Sequence, residues 1–110
     1  MARTRLTPQK IELVAERFRA LGEPARLHIM NALRTGEQTV GELVEATGFG
    51  TANVSKHLQL LHASGFATRR QEGLYVRYGL ASDDVFRLCE IMCGCLQAEA
   101  EARQRLLGGR

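Results

Sequence analysis

The sequence predicts a mainly α-helical protein with one β-hairpin, an α+β class whose elements follow the order α-α-α-α-β-β-α. Apolar residues recur at helical spacing between residues 11 and 61 and again after residue 84, but they alternate between residues 66 and 80. Proline, glycine and capping residues lie at the junctions between these stretches. Because 110 residues is a common size for one domain, we expect a single domain over residues 1–110.

Two helices are predicted before residue 36. Thr7 followed by Pro8 has the form of an N-cap and first helical position, and an apolar stripe extends from there to Gly22. The stripe consists of Ile11, Leu13, Val14, Phe18 and Leu21. Pro24 begins a second helix by the same rule, and we expect this helix to be short, largely buried and to end at Gly36.

A third and a fourth helix are predicted around a tight turn that contains glycine. Thr39 and Glu42 have the spacing of a capping box, in which the threonine oxygen accepts a backbone N–H and the glutamate reaches back to the cap residue. We expect the third helix to end at Gly48 and the fourth to follow Gly50 and close at Gly65. Two short helices joined by such a turn form a helix-turn-helix motif.

The stretch after the fourth helix predicts a hairpin and one long helix. The alternating residues are interrupted at Gln71, Glu72 and Gly73, where we expect the turn of a β-hairpin. Ser82–Asp84 then caps a final helix over about Val85–Leu107, with acidic residues in its first turn as the helix dipole favours. A hairpin that follows a helix-turn-helix makes the expected fold a winged helix-turn-helix.

Composition and charge favour a globular protein with a polyanionic partner. Hydrophobic residues make up 45% of the chain and charged residues 25%, and the net charge is +3. No apolar run is long enough to cross a membrane and no signal core follows the start, so we expect a cytoplasmic protein with no membrane partner. Between residues 49 and 80 the only acid is Glu72, while the bases are Lys56, His57, His62, Arg69, Arg70 and Arg77.

Three strings connect this order of elements with a known family. They are Ala-Leu-Gly-Glu-Pro-Ala-Arg-Leu at 20–27, Val-Ser-Lys-His-Leu at 54–58 and Gly-Phe-Ala at 65–67. With these strings in register over nearly the whole chain, the sequence resembles the ArsR/SmtB family of winged helix-turn-helix transcriptional repressors. The resemblance implies a homodimer built from the N- and C-terminal helices, DNA read by the fourth helix, and release from DNA when an inducer binds.

The fourth helix is the expected recognition helix. The N-terminal part of such a helix lies in the major groove, where Asn53 can pair with adenine and Lys56 with guanine acceptors. In the alternative interpretation Thr51 only caps the helix, and Asn53 and Ser55 are solvated. His57 is expected to be packed or bonded to phosphate rather than to serve as a catalyst or metal ligand. The expected DNA-contacting residues are Thr51, Ala52, Asn53, Ser55, Lys56, His57, Gln59, Arg69, Arg70 and Arg77.

The arginines of the hairpin are expected to contribute affinity rather than base choice. Arg69, Arg70 and Arg77 would lie along phosphates, where contacts are sensitive to salt. The alternative is a solvated charged edge that prevents strand pairing. A two-fold dimer places its recognition helices about one DNA turn apart, ~34 Å, and therefore requires double-stranded DNA with a palindromic operator.

Three cysteines lie close together in the final helix. Their odd number and tight clustering do not form a disulfide framework. On a helical wheel Cys89 and Cys93 share a face and Cys95 points away. Because soft thiolates suit As(III), Sb(III), Cd(II) or Pb(II), we expect Cys89 and Cys93 to bind such an inducer. Cys95 would join from the partner helix or through local unwinding at Gly94.

The family's usual ligand sets are missing, so other uses of these thiols stay open. Members often carry Cys-x-Cys in the third helix, Asp-x-His with a later His and Glu in the last helix, or a cysteine of the second helix paired with one of the last. Here the second and third helices have no thiol, and Phe86 stands where Asp84 would need a histidine. The alternatives are a redox or reactive-sulfur sensor and a DNA-binding regulator whose cysteines only pack.

Two chemistries of the thiols are disfavoured. A Cys89–Cys93 disulfide would be strained, because Cβ atoms on one helix face lie about 5 to 6 Å apart and a disulfide needs about 3.8 Å. An enzyme that uses Cys93 and Cys95 is not expected, since the chain has no redox Cys-x-x-Cys motif. No obligatory cofactor is expected.

Overall fold

The computed structural model describes residues 5–108; residues 1–4 and 109–110 of the predicted domain, which include most of the N-terminal start considered above, lie outside the described residues. The helices are α1 (Pro8–Leu21), α2 (Pro24–Ala32), α3 (Val40–Thr47), α4 (Thr51–Ala63) and α5 (Asp84–Gly108). The strands are β1 (Gln38–Thr39), β2 (Ala67–Glu72) and β3 (Tyr75–Leu80). Within residues 5–108, no helix combines the length and apolar composition that a bilayer crossing requires.

The helix ends follow the capping signals of the sequence. Thr7 caps α1, its side chain accepting a hydrogen bond from the backbone N–H of Lys10 at 3.2 Å. The capping box of α3 is formed on both sides: Thr39 Oγ1 accepts from the N–H of Glu42 at 3.2 Å, and Glu42 Oε1 accepts from the N–H of Thr39 at 2.9 Å. Gly48 ends α3 in the left-handed conformation, with φ of 76°, where glycine carries no Cβ penalty.

Two local expectations were wrong, and one short strand was not expected. The second helix ends at Ala32 instead of Gly36, because its last turn tightens into a 3-10 helix at Leu33–Thr35. Strand β1 was not predicted, since two residues are too short to show alternation. The hairpin turn consists of Gly73 and Leu74, with Gln71 and Glu72 inside β2, and Gly73 has the positive φ of 61° that a type II′ turn requires at its first central position.

The core lies between the helix-turn-helix and the sheet. The strands pair antiparallel in the order β1-β3-β2, and Tyr78 of the central strand packs into the core. Burial of large apolar side chains is the main stabilising contribution, and truncation of one to alanine costs about 2 to 5 kcal/mol. The largest fully buried side chains are Ile29, Met30, Leu43, Val54, Leu58 and Leu61.

The first and last helices contribute almost nothing to this core. Ala20 is the buried residue of α1 and Val85 that of α5. The apolar stripe predicted on α1 is exposed, with Phe18 at 58%, and α5 leaves Leu96 exposed to the same 58%. The exposed large apolar side chains of the two helices are Ile11, Leu13, Val14, Phe18, Leu88, Ile91, Met92, Leu96, Leu106 and Leu107. Contiguous apolar faces of this kind are typical of an interaction surface.

Candidate nucleic-acid interface and C-terminal thiols

Helix α4 separates a buried face from an exposed polar face. Val54 and Leu58 are fully buried and fix the rotation of the helix against the core. Residue Gly50 is the N-cap, so Thr51 does not cap the helix as the alternative interpretation held. Ser55 and His57 are half-buried, and the predicted contact residues of α4 that are exposed are Thr51, Ala52, Asn53, Lys56 and Gln59.

The turn before α4 is stabilised by hydrogen bonds of Thr47 and by a ring contact of Phe49. Thr47 Oγ1 donates to the carbonyl of Leu43 at 2.7 Å and accepts from the N–H of Phe49 at 3.3 Å. The Phe49 ring meets the ring of His28 edge-on, with centroids 5.9 Å apart. Phe49 also packs against the core, so its side chain anchors the turn between α3 and α4.

His57 lies inside a hydrogen-bonded contact rather than free on the surface. Arg26 Nη1 lies 3.3 Å from its Nδ1. Since a guanidinium always donates, Nδ1 accepts and the ring proton is on Nε2. Burial lowers the pKa of His57, the charges of Arg26 and Lys56 lower it further, and Glu23 opposes them. The packed state expected for His57 is therefore present, while its contact with phosphate stays a prediction.

Two of the three wing arginines are engaged in ion pairs. Arg70 and Arg77 are directly opposed in the β2–β3 register, so their side chains share one face of the sheet. Arg70 Nη2 lies 2.7 Å from Glu37 Oε1 and 2.8 Å from Glu72 Oε2. Nη1 of Arg77 lies 3.5 Å from Glu42 Oε1, and its Nε lies 3.5 Å from Glu72 Oε2. We call these five residues the wing ion-pair network.

The wing ion-pair network neutralises the charge expected to meet DNA. Its three carboxylates and two guanidinium groups carry a net charge of −1. Hydrogen bonding from Arg70 lowers the pKa of Glu37, and the same bonds raise the pKa of Arg70. For Glu42 the pKa is lowered first by the backbone N–H of Thr39 and only last by Arg77. Two like charges opposed across strands would repel each other, so the glutamates also stabilise the hairpin.

Arg69 differs from the other two wing arginines. It pairs in register with Tyr78 on the opposite face of the sheet and is exposed. Within residues 5–108 it takes part in no ion pair. The sequence count missed this distinction because Glu37 and Glu42 lie outside the stretch in which acids were counted. No sequence signal brings them to the wing; only the pairing of β1 with β3 does.

Two of the three thiols line one groove. A groove of about 740 Å³ lies between α2 and α5, and Cys89 and Cys93 contribute to its wall together with His28, Arg34 and Phe86. Cys89 is half-buried, Cys93 and Cys95 are exposed, and Cys95 is not a lining residue. The helical wheel thus placed the three thiols correctly relative to one another. In the described part of the chain, no three His, Cys, Asp or Glu residues are grouped so that they could hold a metal ion.

Comparisons with known proteins agree with this architecture. The family model of the bacterial regulatory protein ArsR family matches residues 23–69, from the start of α2 into β2. A probable mercury resistance operon repressor of Streptomyces lividans is 34% identical over 91 residues, which cover 83% of this chain and 72% of that protein.

Solved structures extend the likeness to the whole fold. The crystal structure of Mycobacterium tuberculosis Rv0081 has a TM-score of 0.74 at 29% identity, covering 89% of this chain and 98% of that one. The solution structure of a homodimeric winged helix-turn-helix DNA-binding domain from Mycobacterium bovis has a TM-score of 0.70 at 28% identity, covering 96% and 93%. The predicted winged helix-turn-helix fold is confirmed.

Proposed function

The chain belongs to the ArsR family of bacterial regulatory proteins, and we propose that it is a transcriptional repressor that binds a palindromic DNA operator as a homodimer. As a member of a regulatory family it is not an enzyme. The observation that carries the proposal is the two-sided character of α4, whose buried residues anchor it while its N-terminal polar residues are exposed. A helix held in this way presents base-reading side chains in a fixed orientation.

The proposed contacts divide into base readers and phosphate binders. Asn53 can form paired hydrogen bonds with adenine, and Lys56 can reach the acceptors of guanine. Thr51, Ala52, Ser55 and Gln59 complete the major-groove surface in this proposal. His57 retains an Nε2 proton that can donate to phosphate, because only its Nδ1 is engaged by Arg26.

On the wing, Arg69 is the best-placed phosphate ligand because it has no carboxylate partner among residues 5–108. Arg70 and Arg77 are already paired with glutamates of the wing ion-pair network, so a phosphate would compete with these carboxylates for the same guanidinium groups. The contribution of Arg70 and Arg77 to DNA affinity is therefore the free energy of a phosphate contact less that of the intramolecular ion pair which it replaces. Exposed ion pairs of this kind are screened by solvent and contribute little to stability, so phosphate can compete for them.

The proposed dimer buries the exposed faces of α1 and α5. Four large apolar side chains of α1 and six of α5 are at least 39% exposed, including Phe18 and Leu96. Burying each large apolar side chain stabilises an interface by about 1.5 to 3 kcal/mol. The similar Mycobacterium bovis domain is described as homodimeric, which supports the same assembly here.

A selection experiment tests this function directly. Purified protein is incubated with a random-sequence duplex library, and bound DNA is amplified and sequenced. We expect enrichment of a two-fold symmetric site whose half-sites are about one helical turn apart. A monomeric mass together with no enriched sequence would contradict both the dimer and the DNA-reading role.

The proposed inducer is a thiophilic ion held by Cys89 and Cys93. The two thiols line the same groove, and thiolates prefer soft ions such as As(III), Sb(III), Cd(II), Pb(II) and Hg(II). The Streptomyces lividans relative is named for a mercury resistance operon, so the relatives support a metal class and do not favour arsenic. Because no three His, Cys, Asp or Glu residues are grouped in the described part of one protomer, Cys95 of a second protomer is the proposed third ligand.

The lack of a third grouped ligand in the described residues favours one other function, a sensor whose thiols are modified by oxidants or reactive sulfur. The two functions differ in what reverses them. Release of operator DNA by an ion is expected to be reversed by a dithiol chelator whether or not oxidants are excluded. A dithiol also reduces sulfur-modified thiols, so the distinguishing reagent is a phosphine reductant that contains no thiol. We expect it to reverse release by polysulfide but not release by an ion, and release by polysulfide would proceed in the presence of a metal chelator.

A further inference from the structure

Two arginines join helix α1 to the recognition helix within one protomer. Arg17 Nη1 donates to the carbonyl of Ser64, at the C-terminal end of α4, at 2.8 Å. Arg26, in the first turn of α2, donates from Nη2 to the carbonyl of Arg19 at 3.1 Å and from Nε to the carbonyl of Ala20. Its third nitrogen, Nη1, donates to His57 in the middle of α4.

The Arg26 guanidinium serves two helices with one planar group. The last carbonyls of a helix lack partners in a following turn; the carbonyl of Arg19 accepts from the N–H of Gly22 at 3.2 Å as well as from Arg26. A cation at this end also interacts favourably with the helix dipole. The fork of an arginine can bond two carbonyls and an imidazole at the same time, whereas the single ammonium of a lysine cannot span them. If α1 moves relative to α4, Arg26 must therefore either lose a hydrogen bond to the α1 carbonyls or stretch its hydrogen bond to His57.

Apolar packing does not fix α1 by itself. Ala20 is the buried residue of this helix and Leu21 packs against the core, but both lie at its C-terminal end, and Phe18 is 58% exposed. The bonds of Arg17 and Arg26 therefore add to this limited packing in setting the position of α1 relative to α4. The same α1 face is the one proposed to enter the dimer.

We propose that Arg26, assisted by Arg17, is a positioning residue that couples α1 at the dimer interface to the recognition helix through His57. This inference rests on the proposed function, because it needs α1 in the interface and α4 on DNA. Formation of the dimer sets the position of α1, the guanidinium follows the α1 carbonyls, and the ring of His57 follows the guanidinium. The two recognition helices are thereby held at the separation that the operator requires.

The first test uses the free protein and needs no DNA. In ¹⁵N spectra of the histidine rings, wild-type His57 is expected to be neutral, with Nε2 protonated and Nδ1 accepting. Arg26→Gln is expected to remove this signature, and Arg26→Lys to fail to restore it, because charge without the fork is insufficient. Arg19→Gln is the matched control: it removes one positive charge nearby, and only the backbone carbonyl of Arg19 is used in the contact. Unchanged His57 ring signals in Arg26→Gln would overturn the proposal.

The second test measures coupling with a double-mutant cycle. Phe18→Ala perturbs the exposed face of α1, and its effect on operator affinity is compared in the Arg26 and Arg26→Gln backgrounds, above the concentration at which each variant dimerises. We expect Arg26→Gln alone to weaken operator binding about two- to tenfold, the scale of one or two hydrogen bonds. The loss caused by Phe18→Ala should shrink at least twofold in the Arg26→Gln background. Equal losses in both backgrounds would show that no coupling runs through Arg26.

Two outcomes keep this inference separate from the proposed function. If the wild type selects no DNA, the proposed function fails, but Phe18→Ala is still expected to shift the Nδ1 signal of His57 only when Arg26 is present. If Arg26→Gln does not fold, as judged by circular dichroism and thermal unfolding, the operator affinity of Arg17→Gln tests the coupling instead. That variant removes the Ser64 link alone, and an operator affinity equal to that of wild type would then overturn the coupling.

Discussion

Arg70 on β2 and Glu37, just before β1, meet at 2.7 Å although they are 33 residues apart in the sequence. In the sequence, Arg70 looks like a basic side chain that is free to bind DNA, but in the structure it is already in an ion pair with Glu37. A phosphate approaching the wing has to compete with the Glu37 carboxylate for the same guanidinium. Glu37 is therefore expected to lower operator affinity rather than to be neutral.

Removal of the Glu37 charge is expected to strengthen DNA binding. In Glu37→Gln, Arg70 keeps Glu72 as a partner but is freer to reach phosphate. We expect operator affinity to rise about two- to fivefold at low salt, and the slope of log affinity against log salt to steepen by up to about 0.9, the value for one phosphate contact. Fluorescence anisotropy at several salt concentrations measures both.

Glu45→Gln is the matched control for this prediction. Glu45 is exposed on α3, and within residues 5–108 it forms no ion pair. Its neutralisation changes the net charge by the same amount without releasing an arginine. An equal gain in affinity for both variants would mean that the effect is long-range electrostatics and not competition at Arg70.

Substitutions of Lys56 and Arg69 should affect DNA binding differently, because Lys56 is proposed to contact a base and Arg69 a phosphate. Lys56→Ala is expected to relax base preference at one position of each half-site, at a cost of about 1 to 3 kcal/mol. Arg69→Ala is expected to weaken binding to all sequences alike and to reduce the salt slope by about one contact. Binding to a set of single-base operator variants provides the measurement. Identical uniform losses for both would contradict the assignment of Lys56 to a base.

The wing arginines also show which parts of the site the sequence could predict. Caps and turns such as Thr39 with Glu42 depend on residues three apart, so the sequence alone was sufficient for them. The same holds for the relative placement of Cys89 and Cys93, which share a helix. The Arg70–Glu37 contact depends instead on strand register, and the hairpin turn itself was misplaced by two residues because Glu72 belongs to β2.

His57 is expected to titrate below the usual histidine range. Burial and the Arg26 charge lower its pKa from 6.5, so the folded protein prefers the neutral ring. The unfolded chain then binds a proton more readily than the folded one, and this contribution to stability is complete above pH 6.5 and is lost as pH falls towards the folded pKa. NMR titration should give a His57 pKa below 6.5 that rises in Arg26→Gln. A wild-type pKa at or above 6.5 would refute this.

A charge on the exposed face of α5 should separate the protomers. Leu96→Glu is expected to give a monomer at micromolar concentration, because a carboxylate at the proposed interface loses the apolar burial and must be desolvated. The matched control is Leu74→Glu, at the tip of the wing, where the side chain is 97% exposed. Light scattering should show that only the Leu96 variant loses the dimer. A dimeric Leu96→Glu protein would place the interface elsewhere.

The last prediction concerns release from DNA by a thiophilic ion. An ion held by Cys89 and Cys93 would draw two adjacent turns of α5 together, and this would change the surface that α5 offers to a second protomer. Both thiols line the groove that this helix forms with α2. An ion shifts the equilibrium only by its differential affinity for the free and DNA-bound forms, and couplings are usually about 5- to 150-fold. We expect release of labelled operator by Hg(II), Cd(II) or As(III) to disappear in the Cys89→Ser/Cys93→Ser double variant. Cys95→Ser, which removes a thiol outside the groove, should retain release at a higher ion concentration. Because ligation requires thiolates, the concentration needed should rise as pH falls. Equal release from wild type and the double variant would assign these two cysteines to packing alone.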